Sequence, residues 1–145
     1  MKYRSKIGAI WIISMITMIW LNIPLIEKAA SNTTVFIVLL IMIPCDLYML
    51  DLTFRTYYVL EKDHLFIRCG IGRPLKIPYK DIHTLKETHN PLASSALSLD
   101  RIDLVFKAQN GGNGEDEILI SPVRKLEFIQ QLLLKANHIK VLNNL

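Results

Sequence analysis

At residues 56–70, TYYVLEKDHLFIRCG, the chain changes from continuous apolar runs to short alternating ones, and that change decides the architecture. Tyr57 and Val59 share one side of an extended segment, Lys62-Asp63 offers a turn, and Leu65, Ile67 and Cys69 share a side of the next segment. Alternation with a period of two around polar punctuation reads as a β-hairpin.

Upstream the texture is that of another solvent. IGAIWIISMITMIWLNIPLI, from Ile7 to Ile26, holds no charged residue, and at about 1.5 Å rise per residue it is long enough to cross a hydrocarbon layer about 30 Å thick. TTVFIVLLIMIPCDLYMLDLTF, from Thr33 to Phe54, is nearly as apolar and is interrupted by Pro44, Asp46 and Asp51. The expectation is a membrane anchor over residues 1–54, with transmembrane helices at 7–26 and 33–52, then a separate domain over 55–145. A cleaved leader is the competing reading of the first run. Its apolar region exceeds the usual leader length, and Glu27 and Lys28 stand where small residues should precede a cut.

Basic residues set the orientation. Lys2, Arg4 and Lys6 precede the first run, only Lys28 lies in the short connection, and thirteen Lys and Arg follow from Arg55 onward. Both termini are therefore expected to be cytoplasmic in a multi-pass protein of the cell membrane. Cys45 and Cys69 are then thiols in a reducing compartment. From Arg55 onward thirteen basic side chains stand against ten acidic ones, too slight a balance to argue for nucleic acid.

Downstream of the hairpin, Gly70 and Gly72 punctuate, and RPLKIPYKDIHTLKETH places Leu75, Ile77 and Tyr79 on one side before continuing to Ile82 and Leu85. Pro74 and Pro78 lack the ladder N–H, which makes this strand an edge or bends it at a corner. RIDLVFKA sets Ile102, Leu104 and Phe106 on one side, QNGGNGEDE forms a loose polar tip, and ILISP returns. Ser121-Pro122 reads as a helix start, followed by Leu126, Ile129 and Leu133 at helical spacing to about Asn137. About six antiparallel strands and one helix exclude a doubly wound fold. The predicted class is a membrane-anchored β + α protein: two transmembrane helices, then an antiparallel sheet or partial barrel capped by one C-terminal helix, as in pleckstrin-homology (PH) domains.

IPYKDIHTLKETHNPLASSALSLDRIDLVF, followed after a hairpin by ILISPVRKLEFIQQLL, resembles the bacterial PH-like domains of small Gram-positive membrane proteins over Tyr57 to Leu134. Asn90-Pro91, Ser95, ALSLDRI (96–102) and ISP (120–122) carry the resemblance. It implies a binding module, and one similar member protects its producer against its own peptide bacteriocin, which implies self-immunity as a role. Asn90, Ser95, Asp100 and Arg101 are the ligand-binding candidates.

The segment that holds them also has a structural reading. Leu97 and Leu99 have odd parity whereas Ile102, Leu104 and Phe106 have even parity, so a β-bulge or tight corner near Asp100-Arg101 must shift the phase. Arg68, Arg73, Lys76 and Lys80, around the Gly70–Gly72 turn, are either headgroup-binding residues or a solvated face. Asp46 is either a functional carboxylate in the apolar layer or a residue near its cytoplasmic end, where Pro44 bends the helix.

Catalysis finds little footing. Ser94 or Ser95 with His89 and Asp100 lacks the G-x-S-x-G and Ser-x-x-Lys patterns, and His64, His83, His89, His138 and Cys69 lack paired metal-ligand spacing. No catalytic residue, metal or cofactor is assigned, and a small serine-dependent enzyme and a lipid headgroup sensor stand as alternatives. The expected partners are the lipid bilayer and a protein or peptide at the membrane, reached for instance by strand addition at a sheet edge.

Overall fold

The computed structural model describes residues 1–88, 97–108 and 114–142. Strand β1 (Lys2–Arg4) precedes two long helices, α1 (Ala9–Ala29) and α2 (Thr33–Arg55). Then come β2 (Tyr57–Leu60), β3 (His64–Arg68), β4 (Leu75–Pro78), a 3-10 turn (Tyr79–Asp81), β5 (Ile82–Thr88), β6 (Arg101–Lys107), β7 (Glu115–Ile120), α3 (Lys125–Lys135) and β8 (Lys140–Leu142).

Both long helices run a few residues past the expected spans, and both are long and apolar enough to cross a membrane. Asn32 caps α2 by accepting hydrogen bonds from the Thr34 and Val35 amides. The helices lie against each other as an antiparallel pair, where the Trp11 indole donates to Thr53 Oγ1 at 2.9 Å and Asn22 donates to the Asp46 carboxylate. Large apolar side chains such as Ile13, Trp20, Ile23, Phe36, Ile41 and Leu47 remain exposed around them.

The strands form two four-stranded sheets, ordered β1-β2-β3-β4 and β7-β6-β5-β8. The alternation seen in the sequence becomes the inside and outside of these sheets. Tyr58, Leu65, Ile67 and Ile77 of the first sheet and Leu85, Ile102, Leu104 and Ile120 of the second are fully or almost fully buried in one core. Helix α3 covers that core with Phe128 and Leu132, both fully buried, each worth about 1.5–3 kcal/mol of apolar transfer. Tyr3 of β1 meets Phe128 edge-to-face at 5.3 Å.

The corner at Pro78 is as expected: β4 is an edge of the first sheet, and the 3-10 turn passes the chain to β5 in the second. Four features differ from the sequence reading. Strand β1 comes from ahead of the helices and pairs antiparallel with β2, so the sheet domain includes residues that a division at residue 54 assigns to the anchor. Strand β8 pairs parallel with β5 where only antiparallel strands were expected, and α3 ends at Lys135 before it. Ser121 does not cap α3, whose first residue is Lys125; its hydroxyl turns inward to Ser5 Oγ at 3.1 Å. Of the two devices expected near Asp100-Arg101, a bulge or a tight corner, the bulge is absent from the described residues there: the register shift in the β5–β6 ladder falls between Ile82 and Thr84.

Candidate functional site

The predicted corner exists. Residues 97–100 form a bend that delivers the chain into β6 at Arg101. Leu97 goes into the interior while Leu99 stays outside, which resolves the parity conflict between Leu97-Leu99 and Ile102-Leu104. Ser98 organises the bend: its carbonyl accepts from Arg101 Nε at 2.6 Å, and its hydroxyl accepts from the Asp100 amide at 3.3 Å. The bend also rests on the approach to α1, where the Gly8 amide donates to the Leu97 carbonyl at 2.9 Å. A Cβ at Gly8 would lie 3.1 Å from Ser98 Cα, so only the smallest residue fits without a shift.

Asp100 joins three parts of the chain. One carboxylate oxygen accepts from Lys6 Nζ at 2.8 Å and the other from Lys125 Nζ at 2.6 Å. Lys125 also reaches Glu87 on β5 at 3.0 Å. The hydrogen bonds from Lys125 and then Lys6 hold the Asp100 carboxyl below its ordinary value. Burial alone would lower Lys125, but its bonds to Asp100 and Glu87 outweigh that and raise it. Both Asp100 oxygens are committed to ammonium groups, so the residue works as a clamp between the start of α1, the corner and the first turn of α3.

A second, buried cluster lies beside the clamp. The Tyr58 hydroxyl donates to Ser5 Oγ at 3.1 Å and accepts from the Ser121 amide at 3.2 Å. Lys6 N donates to the Ser121 carbonyl at 2.6 Å, and Val123 N to the Arg4 carbonyl at 3.0 Å. Residues 4–6 are thereby zipped to residues 121–123, closing the gap between the edge strand β1 and the end of β7.

The remaining candidates separate. Asn90 and Ser95, together with His89, Pro91 and Ser94, lie outside the described residues. Arg68, Arg73 and Lys76 lie on the first sheet and its β3–β4 turn. The register sets Arg4, Tyr57 and Arg68 in one row and Lys2, Val59, Phe66 and Lys76 in the next. Neighbours directly opposite share a side, and Tyr3, Tyr58 and Ile67 fill the inner side, so these rows face outward. Lys80 is exposed in the 3-10 turn at the corner, apart from both rows. Among the described residues no three His, Cys, Asp or Glu side chains gather into a metal-binding group.

Sequence reading missed the partners of its own candidates. Lys6 and Lys125 hold Asp100 from 94 and 25 residues away, and no local pattern announces such distant pairs. Asn22, the partner of Asp46, was visible as a lone amide in an apolar run. The alternation of Lys2, Tyr3, Arg4 and Ser5 is a strand signal that lies within the basic flank.

The comparisons cover the domain but not its N-terminal additions. Residues 56–136, from the start of β2 to the end of α3, match the family model of the bacterial PH domain. No curated protein matches the chain.

Proposed function

Because the chain belongs to the bacterial PH domain family, we propose that it is a membrane-tethered interaction module acting by binding at the bilayer surface rather than by catalysis. One observation carries the reading. The two helices enter adjacent strands of one sheet, with Ser5–Gly8 between β1 and α1 and the single residue Thr56 between α2 and β2. Pairing of β1 with β2 requires the outer ends of α1 and α2 to lie on one side, as a hairpin crossing a membrane twice demands. Apolar side chains exposed around both helices are suited to lipid, and the excess of Lys and Arg at these ends favours the cytoplasmic side. In this reading Asp46 lies nine residues from the end of α2, about 13 Å into the layer, with Asn22 as its polar partner.

The resemblance supports bacteriocin self-immunity as the concrete form of the function, with the domain holding a protein or peptide partner at the membrane. Protease protection of spheroplasts and inverted vesicles tests the topology: the domain is expected to be cleaved only in inverted vesicles, and cleavage in spheroplasts refutes it. Deletion in the native strain is expected to sensitise it to its own secreted peptide. Unchanged sensitivity rejects the immunity role while leaving the topology intact.

A further inference from the structure

Helix α3 is apolar on two sides, and only one of them meets the core. Phe128, Leu132 and, at its C-cap, Ala136 lie on the inner side and are fully or almost fully buried. Ile129 and Leu133 pack at the flanks of that core. Leu126, Gln130 and Leu134 follow one another at four-residue spacing on the opposite side, where Leu126 is 64% and Leu134 78% exposed. Val123, 58% exposed, stands just ahead of the helix. A surface helix of a folded domain turns polar side chains outward, so a row of exposed leucines calls for an occupant. Charges bound the row without entering it: Arg124 is paired with Glu127 at 3.1 Å, and Lys135 leans over the Tyr79 ring at 5.9 Å.

The direction of α3 relative to the membrane helices points to that occupant. The helix begins beside the anchor: Lys125 shares the Asp100 carboxylate with Lys6, which lies just before Gly8, the N-cap of α1. It ends at the far side of the first sheet, where the Tyr79 hydroxyl near Lys135 donates to the Glu61 carbonyl at 2.8 Å, in the turn between β2 and β3. That turn lies the length of β2 beyond α2, about 13 Å, and the whole of α3 spans about 16 Å. Helix α3 therefore runs away from the anchor, roughly along the membrane normal in the reading above. Two copies inserted in one bilayer with the same orientation are related by an axis along that normal, which brings their α3 rows together side by side, parallel and at equal height. Identical residues then meet: Leu126 with Leu126, Gln130 with Gln130 and Leu134 with Leu134. An amide both donates and accepts, so Gln130 pairs with its own copy in the middle of the row and sets its register.

We propose, on the membrane reading above, that a second copy of this chain covers the outer row of α3, forming a parallel helix pair about a two-fold axis normal to the membrane. The area of the row suits copies that are already tethered. At roughly 100 Å² for each apolar tip, Val123, Leu126 and Leu134 offer on the order of 300 Å² per copy, short of the about 800 Å² per partner of a stable soluble interface. Two-span anchors in one bilayer supply what the area lacks, because confinement raises the effective concentration of one copy at the other. The pairing sets a Lys6–Asp100–Lys125 clamp on either side of the seam, at its membrane end.

Oxidative cross-linking of the full chain in phospholipid vesicles tests this, with the wild-type chain, which keeps Cys45 and Cys69, as the background. A disulfide needs Cα atoms within about 7 Å, so Leu126→Cys and Gln130→Cys are expected to form linked dimers about tenfold above that background and above Lys107→Cys on β6. Differently tagged Leu126→Cys and Leu134→Cys copies, mixed in one vesicle, are expected to link each with its own kind. Linking of the mixed pair in preference overturns the parallel arrangement. Linking no stronger than that of Lys107→Cys, in chain that stays with the vesicles through an alkaline wash, overturns the pairing and leaves the membrane reading intact. Loss of the chain in that wash overturns the membrane reading, and the pairing with it.

Discussion

Replacing Tyr58 with Phe removes one oxygen atom and tests whether the N-terminal arm is locked to the domain. Tyr58 and Ser121 are both fully buried, and burial pushes the Tyr58 phenol up, which keeps it a neutral donor at physiological pH. Tyr58→Phe strips the Ser121 amide of its acceptor at 3.2 Å and Ser5 Oγ of its donor at 3.1 Å. An orphaned buried amide costs about 1–3 kcal/mol, whereas Ser5 keeps Ser121 Oγ at 3.1 Å and loses only about 0.5 kcal/mol. The expected loss is about 1.5–3.5 kcal/mol, or roughly 10- to 400-fold in the opening equilibrium. Hydrogen exchange of the full chain in detergent reads this at the slowest amides of β6, which are expected to accelerate by that factor. Tyr3→Phe is the comparison, because its hydroxyl bonds Glu127 Oε1 at 3.2 Å at a partly exposed site and should cost under about 1 kcal/mol. If Tyr58→Phe accelerates exchange no more than Tyr3→Phe, the cluster does not lock the arm and the reasoning fails.

Gly70→Ala forces a side chain into the left-handed region at about 1–2 kcal/mol and pushes on Asp51 and Leu52; its urea midpoint in detergent should fall. Gly72→Ala, whose Cβ would meet only the Cys69 carbonyl at 3.1 Å, should fall less, and the reverse order would contradict the docked turn. Asp100 makes stability depend on acid: its folded carboxyl titrates below the ordinary 3.8, so its contribution is present above that value and is lost as pH falls through the lowered one. The Asp100→Asn variant should therefore show a flatter acid limb of stability against pH, and a limb as steep as wild type would assign the acid sensitivity elsewhere. Asn22→Leu deprives Asp46 of its amide donor and should lower the stability of the helix pair in detergent by about 1 kcal/mol. A thermal melt that is unchanged or higher would deny the pair a structural role.

Much of the architecture was legible because periodicity is local. The apolar runs became α1 and α2, the alternation around Lys62-Asp63 became β2 and β3, and the parity break before Ile102 became the bend at 97–100. The misplaced helix start shows where local reading fails. Ser121-Pro122 has the chemistry of a cap, yet a buried Tyr58 and Ser5 offered the serine better partners, and α3 waited until Lys125. Asp100 was singled out from its neighbours in sequence, but its role as a clamp depends on two lysines brought from opposite ends of the chain.

The sequence by itself determined which segments suit lipid, which alternate and where the chain must turn, since hydrophobic period and backbone chemistry act over a few residues. Tertiary structure decided that the first residues form a strand of the same sheet as those after the helices, and that four cations scattered between Lys2 and Lys76 share one side of that sheet. A net charge is a sum over residues, whereas the field that a partner meets depends on which of them the register places side by side.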